Sequence, residues 1–155
     1  RLPVEGGHEL VLINSHMSAY DEGGTIRAQQ LELLNSVIAE EYAKGNYVIV
    51  GGDFNHAMGE EVAEGFPSEQ KFPEWVAVLN DEDLTDGVSI VRADNELEVP
   101  TCRGADIVYT KGVNYTTVVD GFLVTDNVRA TAENIDTDFA YSDHNPVKLQ
   151  FELLK

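Results

Sequence analysis

The chain has 155 residues, 43% of them hydrophobic and 8% aromatic, which fits one globular domain with a real core and excludes a disordered tract. Its 28 Asp and Glu against 10 Lys and Arg give a formal charge of −18, which excludes loose adhesion to DNA or anionic membranes through basic clusters. A single cysteine, Cys102, excludes an intrachain disulfide and a cysteine-based zinc site.

No apolar run approaches the ~18 residues that span a bilayer. No leader pattern occurs, and the opening Arg1-Leu2-Pro3-Val4 lacks a methionine. The chain therefore reads as a piece of something longer, whose compartment is unknown because any targeting segment lies upstream. Most of the acidic residues read as solvated surface, although bound divalent cations can reverse the field around a phosphate.

In chain order, Glu9 to Asn14 is a mostly apolar strand expected to be buried on both faces. After a loop from Ser18 to Gly24, Thr25 is the expected N-cap of a helix from Ile26 to Lys44. Its apolar positions are Ile26, Leu31, Leu34, Ile38 and Tyr42, and Gly45 is its stop. Tyr47 to Val50 is the next strand, so strand, helix and strand form a parallel crossover unit. Between Ala57 and Asn95 the pattern is less regular: a short helix is expected over Glu74–Leu79, anchored by Trp75, and a brief strand within Asp86–Asn95. The β-branched and aromatic stretches Asp106–Tyr109, Thr116–Thr125, Arg129–Asp136 and Val147–Leu153 read as further strands of a mixed sheet. No repeat, low-complexity tract or linker divides residues 1–155, so the chain is read as a single α/β domain.

Chemistry concentrates where strands end. The strand Tyr47–Val50 runs into Gly51-Gly52-Asp53-Phe54-Asn55, and the glycines permit a sharp turn or close approach. At spacing two, Asp53 and Asn55 leave on one side while Phe54 turns into the packing. Asx side chains at such a turn also serve local backbone, which is the plain structural alternative. Used chemically, Asp53 accepts a proton from water or helps hold a metal, and Asn55 donates to a charged oxygen.

Asp120 interrupts the apolar Val118–Val124, where an unpaired carboxylate would be expensive. His144, in Ser142-Asp143-His144-Asn145-Pro146, is the economical partner, as general base or phosphate contact. His16 closes Asn14-Ser15-His16; a cap or core role is its alternative. His8 and His56 read as incidental, Cys102 as structural, and Arg103 as a residue able to contact an anion. No phosphate-loop, dinucleotide or nucleophile-elbow motif occurs, so no nucleotide cofactor is expected. The Asp, Asn and His inventory fits metal-assisted hydrolysis of a phosphoester without a covalent nucleophile.

Four segments carry a family resemblance: Asn14-Ser15-His16-Met17, Gly52-Asp53-Phe54-Asn55, Val119-Asp120-Gly121-Phe122 and Ser142-Asp143-His144-Asn145-Pro146. In this order they resemble the endonuclease/exonuclease/phosphatase, or deoxyribonuclease-I-like, superfamily. The helix with Arg27 and Gln30 is similar as well. The resemblance implies half of a four-layer α/β sandwich, a mixed sheet with helices packed on one face. It implies a Mg2+-dependent phosphodiester or phosphomonoester hydrolase, Mn2+ being the alternative ion.

Carried over by residue, Asp53 is metal-linked or positions water, and Asn55 and His16 bind the scissile phosphate. Asp143 ligates metal, and His144, oriented by Asp120, is the catalytic histidine. The family's Asn and metal-binding Glu of the N-terminal half have no counterpart here. The chain is therefore expected to be the C-terminal half, weak in metal binding and nearly inactive alone, with an uncovered sheet face through which it homodimerises. The substrate is a nucleic acid, a phospholipid head group or a small phosphate ester. A non-catalytic binding module of the same fold is the alternative.

Overall fold

A computed structural model describes residues 1–63 and 66–155. Its elements are β1 (Leu2–Pro3), β2 (Glu9–His16), α1 (Thr25–Ala43), β3 (Tyr47–Asp53), β4 (His56–Ala57), α2 (Glu60–Ala63) and β5 (Ala77–Val78). They continue with β6 (Val88–Val91), β7 (Cys102–Arg103), β8 (Thr116–Thr117), β9 (Asp120–Thr125), β10 (Val128–Asn134) and β11 (Val147–Leu153). The central sheet has the order β1-β2-β3-β9-β6, with β2 and β3 parallel and the other pairs antiparallel.

Alternation along β3 and β9 sorts the apolar residues onto two faces. Val48, Val50 and Leu123 turn toward α1, where Ile38, Leu31 and Leu34 meet them. Ile49, Val124 and Leu10 turn the other way, toward Val128, Leu149 and Leu153 of the separate β10–β11 pair. Helix therefore covers one face and a two-stranded sheet the other, a mixed α/β arrangement consistent with a fragment of a deoxyribonuclease-I-like sandwich. Phe54, Val50 and Leu123 are fully buried, each contributing roughly 1.5–3 kcal/mol of burial.

Four expectations need correction. Thr25 is the first helical residue rather than the cap. Gly24 precedes it in a left-handed conformation, and the Asp21 carboxylate accepts the free N–H of Arg27 at 2.8 Å. Ile26 consequently falls on the solvent side. Segment 74–79 is not helical: Pro73 and Val76 form a turn, and Ala77–Val78 pairs in parallel with His56–Ala57, which uses the backbone groups a helix would need. Residues 106–109 form no strand, being drawn into turns anchored by Asn114, whose side chain bonds Thr110 and Gly104. Finally, β2 is not buried throughout. Leu10 and Val11 are, but Leu12 is 52% exposed.

Candidate functional site

Strand direction assembles the site. Parallel β2 and β3 end together at one edge of the sheet, and antiparallel β9 begins there. The register sets His16 beside Asp53 and Asp53 beside Asp120. The close fit needs Gly52: its φ is +148°, and a Cβ there would lie 1.9 Å from the Ser15 carbonyl oxygen. With no side chain at Gly52, β2 and β3 stay paired to their last residues.

Beyond the strand end Asn55 takes φ +48°, and the chain turns back on itself. Its backbone N–H donates to Asp53 Oδ1 at 2.8 Å, and its Nδ2 donates to Met17 O at 2.8 Å and Asp53 Oδ2 at 3.2 Å. Asn55 is thus buried and spends its donors on the chain, clamping the Asp53 carboxylate. His16 projects outward, with Nε2 3.4 Å from Asp53 Oδ2.

His144 arrives from the loop before β11, where Asp120 Oδ2 meets its Nδ1 at 2.7 Å and its Nε2 lies 3.9 Å from Asp53 Oδ2. The pairing expected of Asp120 is present. Two residues that sequence reasoning passed over hold it. Fully buried Thr101 accepts the N–H groups of Val119 and Asp120 on its hydroxyl, while its carbonyl accepts the N–H of Asn145. Buried Asn145 in turn donates to Pro100 O and accepts from Thr137. Cys102 pairs backbone with His144, so the residue that has no base beside it in sequence has one beside it in space. Burial pushes the Cys102 thiol up, which keeps it protonated.

The electrostatics separate the roles. The Asp120 hydrogen bond, then Cys102, raise His144 to about 11, so the imidazolium persists at neutral pH. Burial raises Asp53, and the neighbouring Asp120 charge adds to it against the Asn55 hydrogen bond and the two histidines. Asp53, Asp120 and His144 can each offer a ligand atom within 4.8 Å of the others. Among the described residues neither carboxylate is paired with Lys or Arg. Two crowded carboxylates without such a partner suit a hard divalent cation. Asp143 lies outside this cluster, exposed, its Oδ1 accepting only from Ser142 at 3.4 Å, although it lines the same cleft.

That cleft, about 1010 Å3, is walled by Tyr20, Phe72 and Tyr115, which the sequence reading left unassigned, and by Trp75, which it read as a helix anchor. Tyr20 and Trp75 pack with ring centroids 5.2 Å apart. Arg27 holds this wall from behind; buried, it donates to the carbonyls of Ser18, Asp21 and Trp75. Arg103 opens into the cleft, 5.8 Å from the Tyr109 ring and in no ion pair among the described residues. His56 is a core residue, held neutral by burial and bonded to Phe54 O. Aromatic walls came from three separate loops, so no local motif announced them.

No protein-family model matches the chain, and no curated protein matches it either. Solved structures do. Truncated Caenorhabditis elegans TDP2 (tyrosyl-DNA phosphodiesterase 2, a deoxyribonuclease-I-like superfamily member) matches with TM-score 0.57 and 20% identity over 94% of this chain and 55% of that one. Selenomethionine TDP2 from the same organism gives 0.59 and 21%, over 94% and 42%. D. rerio TDP2 complexed with a single-strand DNA product gives 0.54 and 17%, over 91% and 55%. The likeness is one of fold, and the chain spans about half the length of these structures.

Proposed function

We propose that this chain carries the histidine-bearing part of the active site of a metal-dependent phosphodiesterase, the C-terminal portion of a deoxyribonuclease-I-like domain. The observation that carries the reading is the meeting of Asp53, Asp120 and His144 where three strands end, with Asp120 fixed on Nδ1 so that Nε2 points at Asp53. An imidazolium held this way donates a hydrogen bond from Nε2 to a phosphoryl oxygen, or a proton to the leaving oxygen. Asp53, raised by burial, receives a proton from the attacking water. His16 and Arg103 face the same space and meet the remaining phosphate oxygens; Asn55 holds Asp53 in line.

Asp120 is engaged by His144, and an imidazolium has no lone pair to offer, so within the cluster Asp53 would hold the cation, Mg2+ or Mn2+, with Asp143 of the same cleft as its proposed second ligand. When bound, the ion would polarise the phosphoryl oxygen and neutralise the crowded carboxylates.

For the substrate we favour single-stranded nucleic acid over a phospholipid head group or a small phosphate ester. Aromatic walls accept unpaired bases, while a −18 chain disfavours duplex DNA. A TDP2 of this fold complexed with single-strand DNA product agrees with that choice.

The test is hydrolysis of a labelled single-stranded oligonucleotide, a phosphodiester lipid and a small phosphodiester with Mg2+, by the chain and by the longer protein expected to contain it. We expect oligonucleotide cleavage by the longer protein, falling about 100-fold or more in His144→Gln and Asp53→Asn. Turnover unaffected by either substitution would contradict the reading.

A further inference from the structure

Between β8 and β9 the chain leaves one sheet for another, since Thr116–Thr117 pairs with β7 and Asp120–Thr125 with β3 and β6. Val118 and Val119 belong to neither strand, and both are buried. An extended strand sends successive carbonyls to opposite sides. Here the carbonyls of Val118 and Val119 both turn to one segment, accepting from the N–H groups of Met58 and Phe54 at 2.9 Å each. The N–H groups of Val119 and Asp120 both turn to Thr101. A local break of this kind re-aims a side chain, as bulges beside active sites do, and the side chain that follows it is Asp120.

The break leaves two N–H groups without a strand partner, and an orphaned buried donor costs the fold its full desolvation penalty. Thr101 takes both: its Oγ1 accepts from Val119 at 3.0 Å and from Asp120 at 3.1 Å. One hydroxyl oxygen, with two lone pairs, replaces two carbonyls of a neighbouring strand. The N–H of Thr101 donates to Thr117 O at 2.9 Å, and its carbonyl accepts from Asn145 at 2.7 Å. Asn145 directly follows His144, and on the other side of His144 the Asp143 carbonyl accepts from Arg103 at 3.0 Å. Fully buried Thr101 therefore bonds the backbone beside both partners of a contact that spans 24 residues of sequence.

We propose that Thr101 is the positioning residue of the Asp120–His144 pair: its hydroxyl fixes the backbone that carries the carboxylate, and its carbonyl fixes the loop that carries the imidazole. The 2.7 Å contact between Asp120 Oδ2 and His144 Nδ1 is the result. Its consequence for turnover rests on the phosphodiesterase reading; the geometry does not, and it is tested without substrate or metal. A packing role alone is met by any side chain of the same shape. Valine has that shape without the hydroxyl, and serine has the hydroxyl without the methyl, so the two variants separate the roles.

NMR of the chain at neutral pH reads the Nδ1–H proton of His144, identified by its absence in His144→Gln. We expect the original to protect it from exchange with water, and Thr101→Val to exchange it about tenfold or more faster. Thr101→Ser should stay within about threefold of the original. Thr125→Val is the control: Thr125 is equally buried at the far end of β9, where its hydroxyl bonds Val48 and Asn127. Whatever stability it loses in urea, its His144 proton should stay within about threefold of the original. Should Thr101→Val not fold, amide exchange of the original chain in mild urea decides. Val119, Asp120 and Asn145 should then open as one unit, within about threefold of one another. A fast-exchanging Nδ1–H in the original, one unmoved by Thr101→Val, or a serine variant as fast as the valine would overturn the proposal. So would Thr125→Val as fast as Thr101→Val, or Asn145 opening about tenfold more readily than Val119 and Asp120.

Discussion

Two residues at the sheet edge titrate against their ordinary habits, and their signs differ in consequence. His144 is raised from 6.5 to about 11 by Asp120 and then Cys102. The folded state therefore favours its imidazolium; this contribution is full below pH 6.5 and is lost as pH rises toward 11. The stability gap between the original chain and His144→Gln, read from urea unfolding, should shrink steadily across that window. A gap constant with pH would rule out the Asp120–His144 pair as drawn. Asp53 runs the other way for a carboxylate, because burial and Asp120 raise it above 3.8. Its ionisation costs the fold stability as pH rises through the raised value. Asp53→Asn should thus melt higher than the original at pH 7 without metal, and should lose any rise in Tm that millimolar Mg2+ gives the original. The same substitution gains stability and loses chemistry, as expected where a fold holds a charge for use.

Individual elements show how far local pattern reaches. β11 was legible to the residue, since its apolar alternation is undisturbed by anything nearby, and the β2–α1–β3 unit was legible because two apolar runs flank a helical spacing within one local stretch. The segment around Trp75 was not. Its backbone is claimed by β4, which lies well before it in the sequence but beside it in the fold (His56 pairs with Ala77), and nothing in Glu74–Leu79 announces that partner. At the site, the Asp120–His144 contact was legible because a carboxylate inside an apolar strand requires a partner. Thr101 and the aromatic walls were not, since their roles arise only when loops from distant parts of the chain meet. Gly52 was read as permissive, and the structure gives the reason: the Ser15 carbonyl occupies the place of a side chain. Gly52→Ala should cost about 2–4 kcal/mol in urea unfolding, by splaying β2 from β3. A loss under about 0.5 kcal/mol would mean that the two strand ends are not locked together.

At the scale of the molecule, the charge and the site fit one another. A surface at −18 repels polyanions in general, and on the proposed reading the groups that would attract a phosphate, His144, His16 and Arg103 with any cation the carboxylates hold, face one cleft. Recognition on that reading would be local and metal-linked rather than a broad basic footprint. The chain also spans about half of the TDP2 structures that share its fold. The most direct test is an NMR titration of the His144 imidazole in this chain with inorganic phosphate in the presence of Mg2+. The account predicts a saturable shift of the His144 Nε2 resonance with little change at His8, abolished by Asp53→Asn. A response absent at His144, or unchanged by Asp53→Asn, would contradict it.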